Sequence, residues 1–173
     1  MKRMEISTPR LRLAAIAESS REELIRLLSD EEIGKTYMVP ELKTEEQREA
    51  VFTRLRGLSE AEDRFVYGIY SGEKLIGMIH EVCVDGGEIE LGYFIDPAEK
   101  NRGYASEALA AAMEELFAMG YQVVKAGAFE ENPASMRVMT KCGMKATGET
   151  ELIDYRGERH NCLYFASVRD ERP

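Results

Sequence analysis

The sequence predicts one α/β (α+β) domain, a central mixed and mostly antiparallel sheet flanked by helices, in the order β-α-α-β-β-β-α-β-α-β-β. Three observations carry that expectation. Residues 65–95 hold three successive runs of β-branched and aromatic side chains parted by glycine turns; a strongly periodic helix follows; and the strand after it can pair in parallel with the last of the three through a right-handed crossover. A chain of 173 residues, 44% hydrophobic and 32% charged, suffices for one core and suggests a single domain over residues 1–173, its body at about 7–168.

In order along the chain, Leu11, Leu13 and Ala15 alternate with Arg10, Arg12 and Ala14, which reads as a short half-buried strand. Ser20-Arg-Glu-Glu23 ahead of Leu24, Leu27 and Leu28 has capping-box spacing and opens a first helix; Thr44-Glu-Glu-Gln47 does the same ahead of Ala50, Val51, Arg54 and Leu55. Strands are expected at 65–70, 74–84 and 88–95, turned by Ser71-Gly72-Glu73 and Asp85-Gly86-Gly87. Residues 104–119 place Ala105, Ala108, Leu109, Ala112, Met113 and Leu116 on one helical face and stop at Gly120. The strand after that crossover is read at 122–129. Asn132 and Pro133 suit the N-cap and first turn of a helix ending at Gly143; strands at 146–152 and 158–168 close the fold around Tyr155-Arg156-Gly157, before a polar tail expected to fray.

Composition excludes several functions. A balance of 23 basic to 32 acidic side chains, net charge -9, repels a phosphate backbone, so nucleic acid is not an expected partner. No apolar run is long enough to cross a bilayer and the opening Met1-Lys2-Arg3-Met4-Glu5 has no apolar leader core; no membrane partner and a cytoplasmic location are expected. Cys83, Cys142 and Cys162 are odd in number and lack CxxC spacing, which suggests reduced thiols rather than disulfides or zinc. His80 and His160 are isolated and read as packing or surface residues, and no metal-ligand set is seen.

The chemistry gathers before the long helix. Ile95-Asp-Pro-Ala-Glu-Lys-Asn-Arg-Gly-Tyr-Ala105 joins a strand end to a helix N-terminus, where unpaired N–H groups and the helix dipole favour phosphate. Gly103 allows close backbone approach, Ala105 keeps the next turn small, and Lys100 and Arg102 add positive charge to an acidic chain. Taken alone, Asn101-Arg102-Gly103 also reads as a plain turn into a helix.

Lys100-Asn-Arg-Gly-Tyr-Ala105 followed by Ser106 resembles the acetyl-CoA loop of the GNAT acetyltransferases, Q/R-x-x-G-x-G/A, with lysine in the first place. Glu90-Leu-Gly-Tyr-Phe-Ile95 upstream and Asn132-Pro-Ala-Ser135 through Lys141-Cys-Gly-Met144 downstream match further family motifs in order, and Thr8-Pro-Arg-Leu-Arg-Leu13 is similar to the opening of the branch that holds the ribosomal-protein N-terminal acetyltransferases. The resemblance spans residues 7–168 and implies the GNAT fold, acetyl-CoA as acetyl donor, an amine-bearing small molecule or protein as acceptor, and a homodimer as a family-level expectation.

It also implies roles. Phe94 and Ile95 would lie along the pantetheine arm, and Lys100, Asn101, Arg102, Gly103, Tyr104, Ala105 and Ser106 would hold the pyrophosphate. Asn132, besides capping its helix, would contact the pantetheine or a water near the thioester. Met139 stands four residues before Gly143, where many members carry the tyrosine that reprotonates the departing sulfur, so that acid is absent. Ser135 is the candidate to assist instead, against a purely local backbone bond; Tyr164 is a weaker one. Glu90 is the candidate base, directly or through water, against a strand glutamate paired across the sheet, and Glu88, two residues earlier on the same face, is the alternative. An acyl-CoA-binding module without catalysis is the competing reading.

Overall fold

The computed structural model describes residues 1–172, and Pro173 lies outside them. The elements are β1 (Glu5–Ser7), β2 (Arg12–Ala14), α1 (Arg21–Leu28), α2 (Glu31–Thr36), α3 (Glu45–Glu60), β3 (Val66–Ser71), β4 (Lys74–Asp85), β5 (Glu88–Ile95), α4 (Tyr104–Ala118), β6 (Val123–Phe129), α5 (Pro133–Lys141), β7 (Lys145–Tyr155) and β8 (Glu158–Val168). They build one open sheet of eight strands ordered β1-β2-β3-β4-β5-β6-β8-β7, antiparallel throughout except between β5 and β6.

One strand and one helix were not legible. β1 buries only Ile6, too little for an alternation to show. α2 is six residues with Gly34 inside it; what starts it is Asp30, whose side chain accepts the Glu32 and Ile33 N–H groups at 2.9 and 3.0 Å.

The two expected capping boxes part ways. Thr44 has the extended backbone of an N-cap and both reciprocal bonds with Gln47. Ser20 does not cap α1: residues 18–20 already form a 3-10 turn, so its backbone is not extended, and its hydroxyl lies 3.0 Å from the Tyr70 hydroxyl instead. The tail also departs from expectation, since the Arg169 N–H reaches the Gln122 carbonyl at 2.9 Å and residues 169–171 make a 3-10 turn.

Two apolar layers cover the sheet. Leu13, Tyr67, Ile79, Ile89, Leu91 and Val124 pack against Leu109, Met113 and Leu116 of α4 and Met139 of α5. On the opposite face Ile16, Val66, Met78 and Phe94 pack against α1, α2 and α3 through Leu24, Leu27, Ile33 and Phe52. Among the described residues no helix is long and apolar enough to cross a membrane.

Candidate active site

The parallel pairing of β5 with β6 runs from Glu88 opposite Val123 to Leu91 opposite Ala126 and then stops, so residues 92–95 have no strand partner on that side. A register shift in β4 between Glu81 and Cys83 lies across from Glu90 and Leu91 and strengthens the local twist. Where the strands part, a cleft of about 420 Å³ passes through the sheet. Its lining takes Ile33, Thr36 and Tyr37 from one side and Ser135, Val138 and Lys141 of α5 from the other. Gly92 and Gly127 border the gap, and neither has room for a side chain, because a Cβ there would come within 3.0 Å of the His80 ring and 2.9 Å of Cys162 Sγ.

At one end of the cleft stands the loop before α4. Asp96 is buried, caps the turn at Pro97–Glu99 through the Ala98 N–H, and pairs with Arg26 at 2.6 Å. Burial opposes its ionisation, but that N–H and the guanidinium outweigh it and hold the carboxyl below its ordinary range. Asn101 and Gly103 both take positive φ, 63° and 79°, turning the chain so that α4 begins at Tyr104 with no side chain over its N-terminus. The first-turn N–H groups therefore face the cleft, as an anion requires.

Lys100, Asn101, Gly103, Tyr104, Ala105 and Ser106 all line the cleft, as do Phe94 and Ile95. Arg102 does not. It turns outward to Glu99 at 3.0 Å, and its carbonyl accepts from Arg10. Lys100 meets Glu32 at 2.8 Å, an exposed pair weak enough to give way to a phosphate. Three basic residues escaped the sequence reading. Arg10 pairs with Glu107 at 2.7 Å, stacks on Tyr104, and would touch a Cβ at Gly103. Arg137 and Lys141, four apart on α5, also line the cleft. Their i,i+4 spacing was a usable signal.

Asn132 and Ser135 sit at the other wall. The Asn132 side-chain Oδ1 accepts the Ser135 N–H at 3.3 Å, so the cap is as expected, and both residues line the cleft. Ser135 Oγ lies 2.8 Å from the Tyr93 hydroxyl, a bond in which either oxygen can donate, and the same hydroxyl lies 3.4 Å from the Ser135 carbonyl. Burial pushes the Tyr93 phenol up to about 12. Met139, on the inner face of α5, is fully buried in the core and does not line the cleft.

Glu90 is not part of the cleft lining; it lies two residues before the gap, on the sheet face that strand alternation has it share with Gly92 and Phe94. There it is half-buried among Glu88, Glu149, Glu151 and Lys125. Lys125, opposite it in register, pairs with Glu88 at 3.2 Å and Glu149 at 2.8 Å. Burial raises the Glu90 carboxyl, Lys125 opposes, and the other carboxylates add to the rise. Tyr164 is on the same face and donates to Glu151 at 2.7 Å, away from the cleft.

His80 packs edge-on against Tyr37, ring centroids 5.7 Å apart, and both its ring nitrogens are hydrogen-bonded. Its Nδ1 lies 2.9 Å from the Glu81 carbonyl, an acceptor only, so Nδ1 carries the hydrogen and Nε2 accepts from the Tyr37 hydroxyl at 2.7 Å. Burial lowers the imidazole from its ordinary value, in keeping with that neutral form. Tyr37 lines the cleft against Phe94, ring centroids 4.8 Å apart. It lies in a segment with no sequence signature.

Comparison with known proteins agrees with this geometry. Residues 10–145 match the model of the acetyltransferase (GNAT) domain. The chain is 31% identical over 170 residues to the uncharacterized N-acetyltransferase YnaD of Bacillus subtilis (strain 168), covering 97% of this chain and 98% of that one. Among solved structures, a GNAT-family acetyltransferase from Bacillus anthracis is 26% identical with TM-score 0.83, covering 97% of this chain and all of that one (100%). The ribosomal L7/L12 α-N-protein acetyltransferase RimL, solved with coenzyme A, shares the fold at 21% identity and TM-score 0.82, covering 97% and 99%. The chain belongs to the GNAT acetyltransferase family, whose acetyl donor is acetyl-CoA.

Proposed function

We propose that this protein moves the acetyl group of acetyl-CoA to a cationic primary amine by direct attack in a ternary complex, in the cytoplasm. The observation that supports it is the cleft through the sheet: donor-side residues stand on one face, and Glu90 with its carboxylate neighbours stands on the other. When bound, acetyl-CoA supplies the activated thioester carbonyl. On the donor side, the first turn of α4, Lys100, Arg137 and Lys141 hold the phosphates, and the free edge of β5 at Phe94 and Ile95 offers backbone groups to the amide arm.

An amine attacks only when neutral. A lysine amine of pKa about 10.4 is neutral in roughly one molecule of a few thousand at pH 7, and an α-amine near ~8 in about a tenth. Glu90 takes that proton, directly or through water, and its raised carboxyl brings it nearer the working pH than an exposed glutamate. Ser135 and Asn132, both in the cleft lining, would assist the leaving sulfur. Cys162 is buried and Cys142 donates to the Ser106 carbonyl, so neither suits a covalent acyl carrier. Glu88, Glu149 and Glu151 around Glu90 favour acceptors that arrive as cations: a protein N-terminal or lysine amine, a polyamine or a small basic metabolite.

The test is thiol release from acetyl-CoA with a free α-amine peptide, an Nα-blocked lysine peptide and spermidine, products identified by mass spectrometry. Turnover with at least one is expected. Tight acetyl-CoA binding with no turnover across a wide amine panel would overturn the reading.

A further inference from the structure

An aliphatic hydroxyl is a poor acid, so Ser135 by itself is a weak replacement for the tyrosine that Met139 displaces. The structure supplies what is missing from another element. Tyr93 reaches from β5 across the cleft, its hydroxyl 2.8 Å from Ser135 Oγ and 3.4 Å from the Ser135 carbonyl. A serine in a first helical turn usually bonds to nearby backbone, which occupies its hydrogen. Here the oxygen can accept from Tyr93, and its own hydrogen is left for the cleft.

We propose that Tyr93 is a positioning residue for the departure of coenzyme A, holding Ser135 so that the serine hydroxyl donates to the leaving sulfur while the tyrosine hydroxyl donates to the serine. This rests on the reading of Ser135 given above. In the step, the C–S bond breaks and its electron pair goes to sulfur; the Ser135 hydroxyl would donate a hydrogen bond to the thiolate while the Tyr93 hydroxyl donates to Ser135 Oγ, and both keep their protons. Solvent protonates the released thiolate, balanced by the amine proton that Glu90 returns to solvent. The titratable groups around the pair are few. Cys142 at the end of α5 is kept a thiol by burial and Tyr104 belongs to α4, while Lys141 and Arg137 lie along α5.

Hydrogen bonds to a charged sulfur favour its ionised form and lower its pKa. The test needs no acceptor amine: coenzyme A bound to the protein is titrated by thiolate absorbance, with the titration of the protein alone subtracted to remove its own three cysteines. Bound coenzyme A is expected to ionise about one pH unit below the free thiol, a tenfold larger thiolate fraction on the rising limb. Tyr93→Phe and Ser135→Ala should each abolish most of that shift, the double variant should do no more than either, and coenzyme A affinity at low pH should be kept. Ser135→Thr should retain the shift. Should Tyr93→Phe not fold, Tyr93→Leu takes its place. A wild-type shift lost in Ser135→Ala but kept in Tyr93→Phe would overturn the role of Tyr93 and leave Ser135 standing. Absence of any shift in wild type would overturn both, and failure of coenzyme A to bind would instead overturn the donor site itself.

Discussion

The two faces of the sheet at the β5–β6 gap are built differently. On the side proposed for the donor the parts are backbone: a strand edge without a partner, a glycine at positive φ, a helix N-terminus without a side-chain cap. They come from one continuous stretch, residues 92–106. On the side proposed for the acceptor the parts are side chains from β4, β5, β6, β7, β8 and the end of α2: His80, Glu90, Lys125, Glu151, Tyr164 and Tyr37. A donor shared by a whole family can be held by backbone geometry, which tolerates sequence drift. An acceptor that varies is met by side chains, each replaceable alone.

That contrast can be broken at four places. The largest effect is expected at Glu90. Glu90→Gln should lower kcat/KM by about 10²-fold, within the range of general-base catalysis, with acetyl-CoA affinity unchanged. Because the Glu90 carboxyl is raised, wild-type activity should fall as pH drops through a value above the ~4.3 of an exposed glutamate, and the variant's deficit should shrink as pH rises toward the amine's own pKa. A pH profile of both proteins with one acceptor decides it; equal kcat/KM from pH 6 to 9 would make Glu90 structural and pass the test to Glu88.

Next, Asp96→Ala removes the buried partner of Arg26 and the cap of the turn leading to the loop. A loss of about 2 kcal/mol in urea unfolding at pH 7 is expected for charged hydrogen bonds of this kind. With the folded carboxyl held low, the wild-type advantage is present above the unfolded value of about 3.9 and is lost as pH falls through the folded one.

Smaller again is Gly103→Val. At φ 79° a branched residue is strained, and its Cβ would press on Arg10 at 3.3 Å on the surface proposed to hold the phosphates. Acetyl-CoA affinity should weaken at least tenfold, about 1.4 kcal/mol, by calorimetry on folded protein. Unchanged affinity would move the phosphate site elsewhere.

The smallest effect lies away from both faces. Thr44→Ala deletes the capping box of α3 and should cost about 1 kcal/mol of stability while leaving affinity and turnover alone. A fall in turnover would mean that α3 supports the acceptor side through Arg54 and Tyr37, and the two faces would be less independent than they look.

What the sequence determined by itself is whatever is local. The meander, β6, the long helix and the Asn132 cap were readable because hydrophobic period, turn glycines and capping residues act within a few positions. So was the turn into α4, since its glycine and helix start are neighbours. Tertiary structure decided the rest. Whether Ser20 caps a helix or meets Tyr70 depends on a preceding turn and a distant strand. Arg102 turns outward because Glu99 is beside it, and Arg10, 93 positions from Gly103, enters only when the N-terminal loop folds against α4. Tyr93 meets Ser135 and Tyr37 meets His80 across 42 and 43 residues. No spacing rule links such pairs: their distances are set by strand register and helix packing, which side chains throughout the core fix together.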